Sequence, residues 1–232
     1  MKYVGSKNRL SKQIAPIIQS YIDNMPDCHG YLEPFVGGAN MIDKIKCPCK
    51  IGNDIHKYLI ALLNHVSETT DDLPDTITEE EYNAVRTNPN NYPDWYVGLV
   101  GFCSFGGKWW GGYAKDKRGD DYCGQAKRGL LKDLVGIQSA TFTCLDYRDV
   151  EIPDNAVVYC DPPYVNTTGY TVGQFDTNEF WDYMRQLSKR CDVYISEESA
   201  PDDFECIWSK EKVRTLDNVG RVKVEKLFKY KG

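Results

Sequence analysis

The sequence lacks the features that mark several large classes of protein. No apolar run approaches the roughly 20 residues that a bilayer-spanning helix needs. Met1-Lys2-Tyr3 does not open a signal-peptide pattern, so the chain reads as cytoplasmic and without a membrane partner. It shows no internal repeat and no low-complexity linker. Its glycines form no Gly-x-Gly-x-x-Gly run and no P-loop with Lys-Ser/Thr. No His or Lys stands out as a hydride-handling group, which leaves a nicotinamide dehydrogenase without support. The nine cysteines form no repeating framework, so reduced thiols are expected and not a disulfide scaffold. Cys47-Pro48-Cys49, with Cys28-His29 upstream, misses the spacing of a Cys-x-x-Cys zinc knuckle, and no metal ligand is assigned. The net charge of -6 speaks only weakly against nucleic acid, because the electrostatic footprint of a DNA enzyme is a local stripe and not a total.

A chain of 232 residues, 41% hydrophobic and 27% charged, can bury a full core and fits one α/β domain with an inserted or appended lobe. The stretch Val157-Val158-Tyr159-Cys160-Asp161-Pro162-Pro163-Tyr164 organises the rest. Its apolar run, stopped by a carboxylate and two prolines, predicts a buried parallel strand. In an open α/β sheet ligands bind beyond the carboxyl ends of the strands, which is where Asp161 and Tyr164 would stand. The prolines fix φ, lack N–H groups and hold the loop carbonyls as pure acceptors. Such a cluster beside an aromatic face suits an exocyclic amine on a flat heterocycle: Asp161 and the Pro162 carbonyl each accept one N–H, and Tyr164 stacks on the ring. The alternative for this stretch is an ordinary Pro-Pro turn with a solvated Asp161.

Along the chain, Leu10, Ile14, Ile17, Ile18 and Tyr21 recur at helical spacing after Gly5-Ser6-Lys7, with Ser6 as the expected N-cap. Lys7 in the first turn is poorly placed for the helix dipole, so it either serves an anion or belongs to a frayed terminus. Tyr31-Leu32-Glu33-Pro34-Phe35-Val36-Gly37-Gly38 predicts a strand and a glycine turn, followed by a short helix through Met41, Ile42 and Ile45. Ile51-Gly52-Asn53-Asp54 ends a further strand, and Asp54 stands where a ribose-hydroxyl acceptor belongs or where a helix starting near Lys57 needs a cap. Residues 67–139 change character, with acidic turns and then Phe105-Gly106-Gly107-Lys108-Trp109-Trp110-Gly111-Gly112-Tyr113. The cations Lys115, Lys117, Arg118, Lys127, Arg128 and Lys132 follow. These are ingredients of a DNA-contacting lobe, or of a hairpin whose tryptophans are core and whose lysines are solvated. Ala140 to Leu145 predicts a strand delivering Asp146-Tyr147. A helix from about Asn178 to Arg190 leads to a strand at Val193-Tyr194-Ile195-Ser196, and the segment around Val222, Val224, Leu227 and Phe228 predicts a final edge strand.

Asp161-Pro162-Pro163-Tyr164 resembles the catalytic motif of amino-methylating, S-adenosylmethionine-dependent methyltransferases, and the chain resembles the DNA adenine methylase family, the D12 class of N6-adenine-specific DNA methyltransferases. The resemblance implies a Rossmann-like α/β methyltransferase sheet. Residues 1–66 and 140–232 would form the catalytic, cofactor-binding domain, and 67–139 an inserted target-recognition lobe. It implies S-adenosylmethionine as cofactor, held by Tyr3, Gly5 and Lys7 at the methionine carboxylate and by Glu33, Phe35 and Gly37 in the loop. Asp54 with Ile55, Asp146 with Tyr147, and Asp161 complete that set. Tyr3 stands where the family often has Trp, and Gly38 is adjacent to Gly37 where the second glycine is usual at the position of Ala39. Asp161, Pro162, Pro163 and Tyr164 would be catalytic; Lys108, Trp109, Lys115, Arg118, Lys127 and Arg128 would meet double-stranded DNA. The implied reaction is N6 methylation of an adenine flipped from the duplex, in a bacterial or phage setting where a cognate restriction nuclease could be a partner. N4-cytosine or RNA-adenine methylation, and a non-catalytic DNA-binding protein on the same fold, are the alternatives.

Overall fold

The computed structural model describes residues 3, 7–103, 107–113, 122–163, 175–213 and 222–232. The helical stripe near the amino terminus forms α1 (Asn8–Asp23), which buries Leu10, Ile14, Ile18 and Ile22 on one face. Its N-cap is Lys7 and not Ser6: the Lys7 carbonyl accepts from Leu10 N and Ser11 N, each at 2.7 Å. Ser6 itself lies outside the described residues.

Seven strands form one sheet in the order β3-β2-β1-β4-β5-β7-β6. They are β1 (Gly30–Glu33), β2 (Lys50–Asn53), β3 (Thr141–Thr143), β4 (Ala156–Cys160), β5 (Asp192–Glu197), β6 (Phe204–Val213) and β7 (Val222–Tyr230). The first five run parallel, and β7 is antiparallel to both β5 and β6. This is a Rossmann-like sheet, and its strand order reverses between β1 and β4, the place where such sheets open a crevice. Every residue of β4 is buried. Val157 and Tyr159 face the core shared with α1, whereas Ala156, Val158 and Cys160 face a second core with Phe180, Trp181, Met184 and Leu187. Those four belong to α7 (Thr177–Leu187), whose Asp176 side chain caps Asn178 N and Glu179 N. Burial on both faces accounts for the unbroken apolar run of β4.

Two local expectations need correction. The segment after the glycine turn is not an α-helix but a single 3-10 turn, Ile42–Lys44. Lys50 Nζ donates to the Ile42 carbonyl at 2.9 Å, and the chain must return at once to start β2, so no further turn fits. The final strand β7 is not at the edge. It lies between β5 and β6, and β6, which went unread in the sequence, forms the border with Glu205, Ser209, Lys210 and Glu211 exposed. Polar alternation in β6 hid it, because a strand solvated on its outer side carries a weak apolar signal.

Between α2 (Lys57–Glu68) and β3 the described residues form four α-helices: α3 (Glu79–Thr87), α4 (Asp94–Phe102), α5 (Tyr122–Lys132) and α6 (Leu134–Gln138). Tyr82, Val85, Val97, Leu99, Val100, Leu130 and Ile137 from these helices join the same core as α1 and α2. Contact between α2 and α4 is close: a Cβ at Gly98 would lie 2.1 Å from the Tyr58 carbonyl oxygen. Backbone cannot yield there as a flexible side chain would. Gly98→Ala is therefore expected to cost about 2–3 kcal/mol by overpacking and to lower the melting temperature by about 5–10 °C. Calorimetry checks this, and an unchanged melting temperature would contradict the close α2–α4 approach.

Candidate active site

The carboxyl ends of β1 and β4, at the reversal of strand order, are followed by Pro34-Phe35 and by Asp161-Pro162-Pro163. Asp161 leaves β4 on the α1 side of the sheet, where Lys7 waits: Lys7 Nζ is 3.2 Å from Asp161 Oδ1 and 2.7 Å from Glu225 Oε2 of β7. The Lys7 side chain is 3% exposed and that of Asp161 19%, so the amino terminus of α1 is not a frayed end. Burial would lower the lysine pKa, but Asp161 and Glu225 outweigh it and hold Lys7 above its ordinary value. Two more carboxyl groups act on the same region. Glu33 of β1 is buried and accepts from the Tyr31 hydroxyl at 2.8 Å; loss of water pushes its pKa well above the carboxylate range. Glu197 at the end of β5 is pushed up to about 7, mainly by burial, with Lys7 opposing and Asp161 adding to the shift. The arrangement sets one carboxylate, Asp161, beside a buried ammonium and leaves it partly open. Tyr164 lies outside the described residues.

The loop after β1 forms a backbone cradle. Gly37 and Ala39 both take positive φ, +48° and +56°, so the position where the family usually has glycine is left-handed here with an alanine. A Cβ at Gly37 would stand 3.3 Å from the Tyr3 ring, which places Tyr3 over the loop backbone. Gly37 N donates to Asp54 Oδ2 at 3.1 Å, and His56 N donates to Asp54 Oδ1 at 3.0 Å. Asp54 is not the helix cap: His56 caps α2, its Nδ1 accepting from Leu59 N. Burial raises the Asp54 carboxyl to about 6 against these backbone donors. Ile55 beside it is 49% exposed, an open apolar surface next to an acid. On the far side, Phe35 packs against Tyr147 with ring centroids 5.2 Å apart. Asp146, three residues beyond the end of β3, pairs with Arg148 Nε at 2.7 Å, which holds its carboxyl below the usual range.

One residue that sequence reasoning passed over ties these ends together. Asn53, 1% exposed, donates through Nδ2 to the Pro34 and Leu145 carbonyls at 3.1 and 2.9 Å. Its Oδ1 accepts from Thr143 Oγ1 and Leu145 N at 2.9 and 3.0 Å. A polar amide ending a buried strand was the available signal, since such a group is retained only when fully bonded. Glu225 and Glu197 were also missed; Lys7, a cation at a helix start, was the one hint that a distant acid exists.

The expected DNA-contacting residues separate. Lys108 and Arg128 are exposed. Lys127 Nζ is held by the Leu73 carbonyl at 2.7 Å and by Asp75 at 2.8 Å. Trp109 lies against Gly101 of α4, with ring centroids 4.4 Å from His56 and 4.9 Å from Phe102, so its ring is engaged in packing between the inserted helices and the start of α2. Gly5, Lys115, Lys117 and Arg118 lie outside the described residues.

Comparison with known proteins adds the family. The D12 class N6 adenine-specific DNA methyltransferase model matches residues 3–96 and 125–219. The chain is 24% identical to the Type II methyltransferase M.FokI of Planomicrobium okeanokoites over 73% of its own length, and spans 29% of that protein. It is 27% identical to the DNA adenine methylase of Escherichia coli K12, covering 78% of this chain and 70% of that one. The DNA adenine methylase of Serratia marcescens is 27% identical over 84% of this chain and 82% of its own. With the family model covering most of the chain and its two ranges carrying both the glycine cradle and the Asp-Pro-Pro turn, this chain belongs to the D12 class N6 adenine-specific DNA methyltransferase family.

Proposed function

We propose that the chain is a site-specific DNA methyltransferase that moves a methyl group from S-adenosylmethionine to N6 of an adenine flipped out of duplex DNA. The observation that carries this reading is the position of Asp161-Pro162-Pro163 at the reversal of strand order, beside a cradle with nucleoside chemistry. The residues of that cradle fit the cofactor. Asp54 is a partly buried carboxylate for ribose hydroxyls, Ile55 offers an apolar surface to a base, Asp146 is an acceptor for an adenine amino group, and Phe35 and Tyr147 form an aromatic wall. When bound, S-adenosylmethionine supplies an electrophilic methyl group on a sulfonium.

The chain's own work is to orient and neutralise. Asp161, beside the Lys7 ammonium, accepts one N–H of the target amine, and the Pro162 carbonyl accepts the other. Both N–H groups then point at fixed acceptors and the nitrogen lone pair is directed away from the ring plane, toward the cofactor. The proton that nitrogen loses on forming its new bond to carbon passes to Asp161, the acceptor already in contact with it. Flipping is required because N6 is hydrogen-bonded inside the stack; it costs a few kcal/mol, which contacts in the catalytic turn help offset. Exposed Lys108 and Arg128 are suited to phosphate, and Lys127 to tying α5 to the acidic turn at Asp75.

Three measurements test this. Labelled methyl transfer to unmethylated DNA, followed by nucleoside analysis, should yield N6-methyladenine at a defined short sequence, and Asp161→Ala should lower turnover at least about 100-fold. Near-normal transfer by that variant would remove Asp161 from its role, and N4-methylcytosine as product would correct the substrate. Asp54 is an ionised acceptor above about pH 6 and protonated below it. Cofactor affinity by calorimetry should therefore weaken as pH falls through 6, and Asp54→Asn should abolish that dependence. A flat profile in the unaltered protein would exclude Asp54 as a ligand. In DNA binding by anisotropy over a salt series, Lys108→Ala should reduce the log–log salt slope by about 1. Lys127→Ala, whose charge is already paired, should leave that slope unchanged. Equal slopes for both variants would show that Lys108 meets no phosphate.

A further inference from the structure

Three cysteines gather around Gly30, the first residue of β1, at the end of the sheet away from the site described above. Cys28 Sγ lies 3.5 Å from the Gly30 carbonyl oxygen. A Cβ built on Gly30 would stand 3.6 Å from Cys49 Sγ. Cys47 completes the group: burial pushes its thiol up, the Cys49 backbone N–H opposes the shift, and the Cys28 thiol, hydrogen-bonded to it, adds to the shift. All three thiols are free. The topology brings them together. β1 and β2 run parallel with Tyr31 opposite Lys50, and Tyr31 N donates to the Cys49 carbonyl at 2.9 Å, so the segments that precede the two strands enter the sheet side by side. Strands so paired lie about 4.8 Å apart, within the Cα separation of about 4.4–6.8 Å that a disulfide spans.

The three thiols are not equivalent. Cys28 and Cys47 are half-buried and both pack against the core that holds α1 and α2, whereas Cys49 is exposed. The backbone beside each member of the pair is pinned. Cys28 N donates to the Met25 carbonyl and His29 N to the Asn155 carbonyl, each at 3.1 Å. On the other segment the Gln19 side chain bonds the Lys46 backbone twice: its Oε1 accepts from Lys46 N at 2.7 Å and its Nε2 donates to the Lys46 carbonyl at 3.0 Å. Two thiols in contact on pinned backbone meet at high effective concentration, which favours a bond between them over capping of either one by a small thiol.

We propose that Cys28 and Cys47 are a reversible disulfide site that reacts with a low-molecular-weight disulfide such as oxidised glutathione and ties the entries of β1 and β2 together. The Cys28 thiolate attacks one sulfur of the reagent, which forms a mixed disulfide and releases one small thiolate. Cys47, whose proton is held more firmly than that of an ordinary thiol, follows: its thiolate attacks Cys28 Sγ and expels the second. The two protons lost by the cysteines end on the two small thiols; the pair is oxidised by two electrons and the reagent is reduced by two. The new bond closes a loop over residues 29–46, which contains β1 and the Gly37 turn. It constrains the unfolded chain and leaves the strand ends that carry Asp54 and Asp161 untouched. The pair's chemistry does not depend on methyl transfer.

The experiment uses the full chain, reduced and folded, equilibrated with oxidised and reduced glutathione over a range of ratios, then alkylated, digested and mapped by mass spectrometry. Expected is a Cys28–Cys47 linked peptide as the main oxidised species, reversed by dithiothreitol, with a melting temperature about 5–10 °C above that of the reduced chain. Cys49→Ser should keep both the link and the rise, whereas Cys28→Ser and Cys47→Ser should each abolish them. The map of the unaltered chain decides the matter even where a serine variant fails to fold. A link through Cys49, capping by glutathione without a link, thiols left free in excess oxidised glutathione, or a link that leaves the melting temperature unmoved overturns the proposal.

Discussion

A lysine ammonium buried at the start of α1 is the constraint on which the arrangement of this site depends. An ion of this kind leaves water at a cost of several kcal/mol unless it is paired and hydrogen-bonded. Lys7 meets Asp161 from the end of β4 and Glu225 from β7, so α1, the Asp-Pro-Pro turn and the carboxy-terminal strand pair must come together for it to be tolerated. The same charge sorts the acids around it. Glu33 and Glu197, with less compensation for lost water, are driven up. Carboxyl groups near one end of a sheet are thus set apart by burial and by their distance from one ammonium.

The cradle beside them is held by a neutral group. Asn53 satisfies both its amide nitrogen and its carbonyl oxygen on the loops that follow β1 and β3. Three strand ends are fixed relative to one another by one side chain, and Asp54, the next residue, inherits that position. Gly37 then offers its N–H to Asp54. No long helix starts at this turn, because the 3-10 segment Ile42–Lys44 is followed at once by the approach to β2. Pre-organisation at this turn therefore comes from backbone and amide hydrogen bonds, with no helix dipole taking part.

The helices between α2 and β3 are continuous in packing with the Gly37 loop and Asp54. Trp109, Phe102, His56 and Tyr3 form a chain of ring contacts from the insert to the Gly37 loop. His56 stays neutral, its pKa pushed down to about 4 by burial, and its backbone N–H bonds Asp54. Trp109 and Asp54 thus share one neighbour, His56. Packing of this density transmits displacement, so a shift in the inserted helices would be felt at Asp54.

The sequence by itself determined the sheet-forming apolar runs, the breakers that end them, and the order in which a glycine turn, an acid after β2 and the Asp-Pro-Pro turn occur. These are local properties: apolar run length, proline geometry and helical spacing are written within a few residues. It also marked Lys7 as a cation in an unfavourable place. Only the tertiary structure decided what that cation meets, since Glu225 is 218 residues away and reaches it through the antiparallel entry of β7. The left-handed Ala39, the four-way bonding of Asn53, the packing of Trp109 and the interior position of β7 were settled in the same way. Each depends on which distant group arrives to satisfy a donor, an acceptor or a ring face, and a pairing of that kind has no local signature.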